Sequence, residues 1–348
     1  MTKQQLADIT DFDEESLKFE LPNEPKFRIS QIFKWLWQKD ITSFNDFTNI
    51  PKNLRDKLAN SFYLPTLDIV EQQTSKDKSV KIAFSLYDKA VVEAVLIPQH
   101  NRVTLCVSSQ VGCNVGCSFC ATGQMGFSRN LSVGEIVFQV KKMQQLSTEI
   151  YDTHLSNIVF MGMGEPLLNY QNILRAIEII TDKDGMGISP KRITLSTVGI
   201  APKITDMANR GVKFNLAVSL HSADDLIRNQ LIPVNKQYNL EKLQNAIAYF
   251  HRQTNNRITI EYLLMKGVND SLDDAKKLLQ FCKAFPVKIN IIEYNPVDGL
   301  PYSKSDHETM ENFKTILTNH NLIVNIRRSK GKDIDAACGQ LAAKSLKR

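Results

Sequence analysis

No stretch of this 348-residue chain approaches the roughly 18 consecutive apolar residues of a membrane-spanning helix, so no membrane partner is expected. Proline and glycine are sparse, at 12 and 15 residues, which argues against collagen-like or low-complexity organisation. Charge of one sign is lacking too. The 43 Lys and Arg against 37 Asp and Glu leave a formal charge of +6, too mild to identify a nucleic-acid binder, so the distribution of basic residues matters more than their sum. The first residues, MTKQQLADITDFDEESLKFE, hold no apolar h-region, which predicts a cytoplasmic protein whose thiols stay reduced. With 43% hydrophobic residues, a chain of this length can bury one large core with a smaller appendage.

A fourth ligand is also missing. Cys113-Asn114-Val115-Gly116-Cys117-Ser118-Phe119-Cys120 puts three thiols in one short loop, yet the next histidine is His154 and the next cysteine Cys282. A structural zinc closes its tetrahedron with four protein ligands, and cuboidal iron-sulfur clusters are normally held by four thiolates. Three thiols therefore leave one coordination position open, and on a redox-active cluster that position invites a substrate or cofactor. A zinc knuckle, a disulfide pair with a spare thiol, and buried small hydrophobes are the competing readings.

Taken in order, the chain shows a breaker cluster at Leu21-Pro22-Asn23-Glu24-Pro25. Ile29, Ile32, Phe33 and Leu36 then recur at helical spacing, and Leu54 and Leu58 mark a second helix over 52–62. Lys26, Arg28, Lys34, Lys39, Lys52, Arg55 and Lys57 give this pair a basic surface, either a solvated face or an RNA contact. From residue 66 the period becomes two. Val80, Ile82, Phe84 and Leu86 alternate, Asp88-Lys89 turns and 91–97 returns, a hairpin. Glu93 lies between Val92 and Ala94, and residue type alone places it on the exposed face.

A short strand at 103–107 carries Cys106 into the cysteine loop, and Ser132 with Glu135 forms a capping box that opens a helix. Apolar strand patterns at 157–163, 192–197, 214–220, 257–264 and 287–293 then alternate with helical ones. The resulting six βα units imply a parallel sheet curled as a partial or complete barrel, with ligands at the carboxyl ends of its strands. The expected division is a helical accessory domain over 1–65, a β-hairpin linker over 66–102 and a core over 103–348. Polar residues collect at the strand ends: Gly162-Met163-Gly164-Glu165-Pro166, Ser196-Thr197, Ser219-Leu220-His221 and Asn295-Pro296. The tail contains Arg327, Arg328, Lys330 and Lys332, a candidate phosphate-binding segment, followed by Cys338 between Ala336-Ala337 and Gly339. Small neighbours leave that thiol accessible, whereas Cys282 sits in an apolar helical run and reads as core.

The cysteine loop, Gly164-Glu165-Pro166, Ser219-Leu220-His221 and the tail Asp333-Ile334-Asp335-Ala336-Ala337-Cys338-Gly339-Gln340-Leu341 together resemble the RlmN/Cfr family of radical S-adenosylmethionine (SAM) methyltransferases, from about Phe27 onward. The resemblance implies a radical SAM partial (β/α)6 barrel in which Cys113, Cys117 and Cys120 hold a 4Fe-4S cluster whose open iron chelates SAM. Gly164, Glu165, Ser196, Ser219, Leu220, His221 and Asn295 would line the SAM site. It implies further that one SAM methylates Cys338, and that a second yields a 5′-deoxyadenosyl radical that takes a hydrogen from the S-methyl. The carbon radical then adds to adenine C2. Cys106 would attack the Cys338 sulfur, forming a Cys106–Cys338 disulfide, and Glu93 would remove the C2 proton. The implied substrates are an adenosine of 23S rRNA and adenosine 37 of tRNA, the implied partner an external flavodoxin-like electron donor, and the expected state a monomer. Pro166 and the Arg327-x-x-x-Gly331 spacing favour C2 over Cfr-type C8 methylation. A non-enzymatic, metal-containing RNA-binding protein is the reading from another class, and it leaves Cys338 without a purpose.

Overall fold

A computed structural model describes residues 6–39 and 41–342. The portions of the expected accessory domain and core that fall on residues 1–5, 40 and 343–348 lie outside the described residues. In the helix Lys26–Gln38, Ile29, Ile32, Phe33, Leu36 and Trp37 are buried, and Leu54 and Leu58 are the buried residues of Lys52–Ser61. Trp37 reaches across to Phe138, 6.3 Å between ring centres, and Lys141 Nζ donates to Leu36 O at 3.2 Å. These contacts dock the appendage on the core helix Val133–Tyr151. A helix at Glu14–Glu20, capped by Asp13, escaped the sequence reading because Leu17 is its single buried residue.

One ten-stranded sheet organises the rest, and its spatial order follows the chain. Its strands are β1 Asp68–Thr74, β2 Val80–Ser85, β3 Val91–Gln99, β4 Arg102–Cys106, β5 Leu155–Phe160, β6 Ile193–Thr197, β7 Asn215–Ser219, β8 Ile258–Leu264, β9 Val287–Glu293 and β10 Ile323–Arg327. Strands β1 to β4 form an antiparallel meander, and β4 to β10 run parallel. Helical crossovers join the parallel strands, as parallel pairing requires. The two edge strands do not pair with each other, so the barrel is open.

Two features go beyond the pattern in the sequence. The hairpin linker extends the core sheet itself. β10 is a parallel strand past the six expected; its residues are half-buried or exposed, so its apolar periodicity is weak. Strand β2 is buried at every position where alternation predicted one open face, because the carboxyl-terminal tail lies over it: Lys81 Nζ donates to Asp335 O at 3.4 Å.

Candidate active site

After β4 the chain makes a tight ribbon, Gln110–Gly112 against Phe127–Asn130, that presents the cysteine loop. Gly112 has φ +74°, and a Cβ there would lie 2.0 Å from Gly126 O, so only glycine closes the loop neck. Val115, Cys117 and Phe119 pack with Leu231, Ile232, Leu263 and Tyr294 in a small apolar cluster apart from the main core. Ser118 N donates to Leu231 O at 3.0 Å.

Cys113, Cys117 and Cys120 line one wall of a chamber of about 150 Å³. Among the described residues no three His, Cys, Asp or Glu form a site for a single metal ion. Three thiols lining one cavity suit a multi-iron cluster, in which each sulfur would bind a different iron. Burial pushes Cys113 up to about 11 and raises Cys117 and Cys120 as well. Thiolate ligation here therefore depends on the positive charge of the bound iron. By donor chemistry and spacing, the residues fit a 4Fe-4S cluster with one open position.

The strand ends build the opposite wall. Gly164 has φ +98°, and a Cβ would meet Gln110 Cβ at 2.6 Å, so the turn after β5 approaches the chamber as bare backbone. Glu165 ties two strand ends together: its Oε1 accepts from Leu167 N and its Oε2 from Val198 N, both at 2.9 Å. Burial pushes its carboxyl up to about 7 against those bonds. Ser196 and Ser219 hydroxyls are 3.3 Å apart. His221, at φ +57°, accepts from Leu263 N through Nδ1 at 3.0 Å and meets Phe119 edge to face at 4.9 Å. Burial, aided by Arg228, pushes it down to about 3, so the ring is neutral and held in one tautomer. His221 is thus both packed and chamber-lining, where the sequence left those two readings open.

Gly164, Glu165, Ser196, Ser219, His221 and Cys338 all line this chamber. Leu220 is fully buried and Asn295 is turned to the tail, donating to Ser329 Oγ at 2.9 Å and Cys338 O at 3.4 Å; neither lines the chamber. Cys106 faces a second, larger cleft of about 940 Å³ inside the open barrel. Cys338 lines both cavities, and both thiols are free. Burial, with Cys338 adding to it and Arg327 opposing, pushes Cys106 up to about 12.

Two expectations are corrected. Glu93 is not on an exposed face: it is 1% exposed, pairs with Lys81 at 3.3 Å and accepts from Ala342 N at 3.0 Å. It lines neither cavity. Nor do the tail cations form one surface patch. Arg328 and Lys330 are exposed, but Lys332 pairs with Glu293 at 2.8 Å and Arg327 turns inward to Met161 Sδ at 3.8 Å. In the appendage, Arg28 and Arg55 bind the carbonyls of Asn49 and Asn45 at 3.0 and 2.8 Å, leaving Lys26, Lys34, Lys39, Lys52 and Lys57 as its exposed cations.

The tail is stitched down at both ends. Asp77 Oδ2 accepts from Gly331 N at 2.9 Å, and Asp333 accepts from Ser75 Oγ at 2.5 Å and Lys76 N at 3.0 Å. Past the thiol, Ala121 N donates to Gly339 O at 2.7 Å and Thr122 Oγ1 to Leu341 O at 2.6 Å. No local signal marks Ser75, Asp77 and Lys81 as tail contacts. Glu261 was also missed, although a carboxylate within the apolar Ile260-Glu261-Tyr262-Leu263 carries the same signal as Glu93.

Residues 107–282 match the model of the radical SAM superfamily, and residues 7–64 that of the ribosomal RNA large subunit methyltransferase N-terminal domain. A probable dual-specificity RNA methyltransferase RlmN of Cytophaga hutchinsonii is 48% identical over 94% of this chain and 90% of its own length. The dual-specificity RNA methyltransferase RlmN of Nautilia profundicola is 43% identical over 96% of each. The crystal structure of a radical SAM methyltransferase from Sphaerobacter thermophilus superposes with a TM-score of 0.89 at 38% identity, over 97% of this chain and 99% of that one.

Proposed function

Because this chain belongs to the radical SAM superfamily and, within it, to the RlmN methyltransferases, we propose that it methylates C2 of an adenosine in 23S rRNA and in tRNA through a cysteine-borne methyl group. The observation that carries this reading is the place of Cys338, on the wall shared by the cofactor chamber and the open cleft. A carrier must meet the methyl source on one side and the base on the other. When bound, the cluster and SAM supply the methyl group and the radical chemistry that an electron-poor ring carbon demands.

The protein's own residues divide the remaining work. Cys113, Cys117 and Cys120 would hold the cluster. Gly164, Glu165, Ser196, Ser219 and His221 would shape the SAM pocket, with Leu220 packing behind it. Asn295 would hold the carrier segment by its bond to Cys338 O. Cys338 would take the methyl, whose carbon would form the bond to C2 while still attached to the sulfur. Cys106, facing the same cleft, would attack the Cys338 sulfur and release the RNA as the disulfide forms. Glu93 would accept the C2 proton; because Lys81 and Ala342 engage its carboxylate, that role requires the Ala342 contact to open. The exposed lysines of the appendage, with Arg328 and Lys330, would contact RNA phosphates. Electrons would come from an external flavodoxin-like donor, and the protein would act as a cytoplasmic monomer.

Nucleosides from RNA incubated anaerobically with the protein, SAM and a reductant test the reading. C2-methyladenosine is the expected product by mass spectrometry. C8-methyladenosine alone would assign the Cfr-type reaction, and no methylated nucleoside would leave an RNA-binding protein.

A further inference from the structure

At the cleft stands an acid–base pair, a buried Glu261 and a half-buried Arg327, to which the reading above gives no task. Glu261, from the middle of β8, is 3% exposed and lines both cavities beside Cys338. Its Oε1 accepts from Asn290 Nδ2 at 2.8 Å, but its Oε2 is buried without a hydrogen-bond partner. Its ion pair is a long one, Arg327 Nη1 to that Oε2 at 4.0 Å, and that guanidinium donates a weak bond to Met161 Sδ at 3.8 Å. Burial raises the Glu261 carboxyl against the pull of Arg327 and Asn290.

A buried carboxylate oxygen with no hydrogen bond and only a 4.0 Å ion pair is incompletely compensated for its desolvation. Whatever enters the cleft can supply the missing hydrogen bond if it presents an N–H donor, and can engage Arg327 as well if an acceptor lies next to that donor. Adenine does so on one edge, where the N6 amine adjoins N1. Cytosine presents the same order through its N4 amine and N3 but has no C2–H to replace, whereas guanine and uracil reverse it and would set a carbonyl oxygen against the carboxylate. N1 is also bonded to C2, so a contact from Arg327 to N1 would hold the reacting carbon near the thiols of Cys106 and Cys338, which line the same cleft.

We propose that Glu261 and Arg327 read the Watson–Crick edge of the target base, with Glu261 Oε2 accepting from N6 and Arg327 donating to N1. The pair favours adenine and cytosine over guanine and uracil, and of the two favoured bases only adenine carries a C2–H. This rests on the adenosine-C2 reading, since it presumes a base seated beside Cys338.

The test uses tRNA carrying either adenosine or purine riboside, which lacks the N6 amine, at the target position. Loss of that electron-donating group does not make C2 less electron-poor, so a preference for adenosine reports recognition. The full-length, cluster-loaded protein should show kcat/KM about tenfold to a hundredfold higher for adenosine, the range for a buried hydrogen bond to a charged group. Glu261→Ala should lose that factor on adenosine and become indifferent to the amine. Glu261→Gln should lose less, since an amide oxygen can still accept. Methylation of Cys338 by SAM without RNA, read by peptide mass spectrometry, should be unchanged in both variants. Equal kcat/KM of the unmodified protein on the two RNAs would overturn the proposal without recourse to any variant. So would equal losses on both RNAs in Glu261→Ala, or a defect in Cys338 methylation alone, which would assign Glu261 to the cofactor. Failure of the unmodified protein to form any C2-methyladenosine would instead defeat the underlying reading.

Discussion

The small chamber is walled by the cysteine loop and by strand ends whose polar groups are held within the core, as Glu165 is by Leu167 N and Val198 N. The tail contributes Cys338, Gly339 and Leu341 to the chamber and a longer stretch, from Arg328 to Leu341, to the large cleft, and it is held down through Asp77, Asp333, Ala121 and Thr122. Because Cys113, Cys117 and Cys120 lie outside the tail, cluster binding should survive damage to it, whereas methyl transfer to RNA through Cys338 should not. A thiol on a segment that lines both cavities also suits a carrier that has to form a bond on one side and break one on the other.

Removing a chamber ligand should have the largest effect, because both cavities depend on it. Cys113→Ala, purified anaerobically, should fall well below the roughly four iron atoms per chain expected of one cluster and form no methylated RNA. Stoichiometric zinc without iron in the unmodified protein would contradict the cluster assignment.

Breaking the cleft alone should separate the two cavities. Cys338→Ala should keep its iron yet form no adduct with RNA. Cys106→Ala should keep its iron and accumulate RNA bound to Cys338, visible as a slower band in a denaturing gel. Normal turnover by Cys106→Ala, or trapped RNA on another residue, would refute the carrier and resolver roles.

The resolving step should also depend on pH in a direction set by burial. With the Cys106 thiol pushed up to about 12, its thiolate fraction grows about tenfold per pH unit through neutrality. Release of RNA from a preformed adduct should accelerate on that slope between roughly pH 7 and 9. A flat profile would mean that another group takes the Cys106 proton.

Smaller effects are expected from the tail latch and the surface charges. Asp333→Ala removes the bonds to Ser75 and Lys76; protease cleavage in the tail should rise and methyl transfer should fall severalfold while iron stays constant. Unchanged activity with a readily cut tail would show that the latch does not position Cys338. Arg328→Gln should lower the slope of log affinity against log salt by about one unit, and an unchanged slope would remove Arg328 from the phosphate contacts.

How much of this was legible follows from the range of each interaction. The helix stripe of Ile29, Ile32, Phe33 and Leu36, the Ser132 and Glu135 cap, and the parallel strands from β4 to β9 are local patterns and could be read directly. β10 could not, because an edge strand with half-exposed residues has little periodicity to show. Glu93 was misplaced on the bare strand pattern because nothing near it in the chain reveals that Lys81 and the tail cover it. Arg327 looked like its exposed neighbours Arg328 and Lys330, and only the curl of the sheet turns it inward.

The sequence by itself determined the ligand spacing of Cys113, Cys117 and Cys120, the order of βα units, and the gathering of polar residues at strand ends. Those are properties of neighbouring residues and of the strand period. Tertiary structure alone decided that Cys338 stands between two cavities, that Cys106 faces it from β4, and that Glu261 Oε2 is left without a hydrogen bond. Each of these depends on where distant segments come to rest when the sheet curls and the tail folds back over it. Burial and hydrogen-bond satisfaction are settled only there, by contacts that no local pattern encodes.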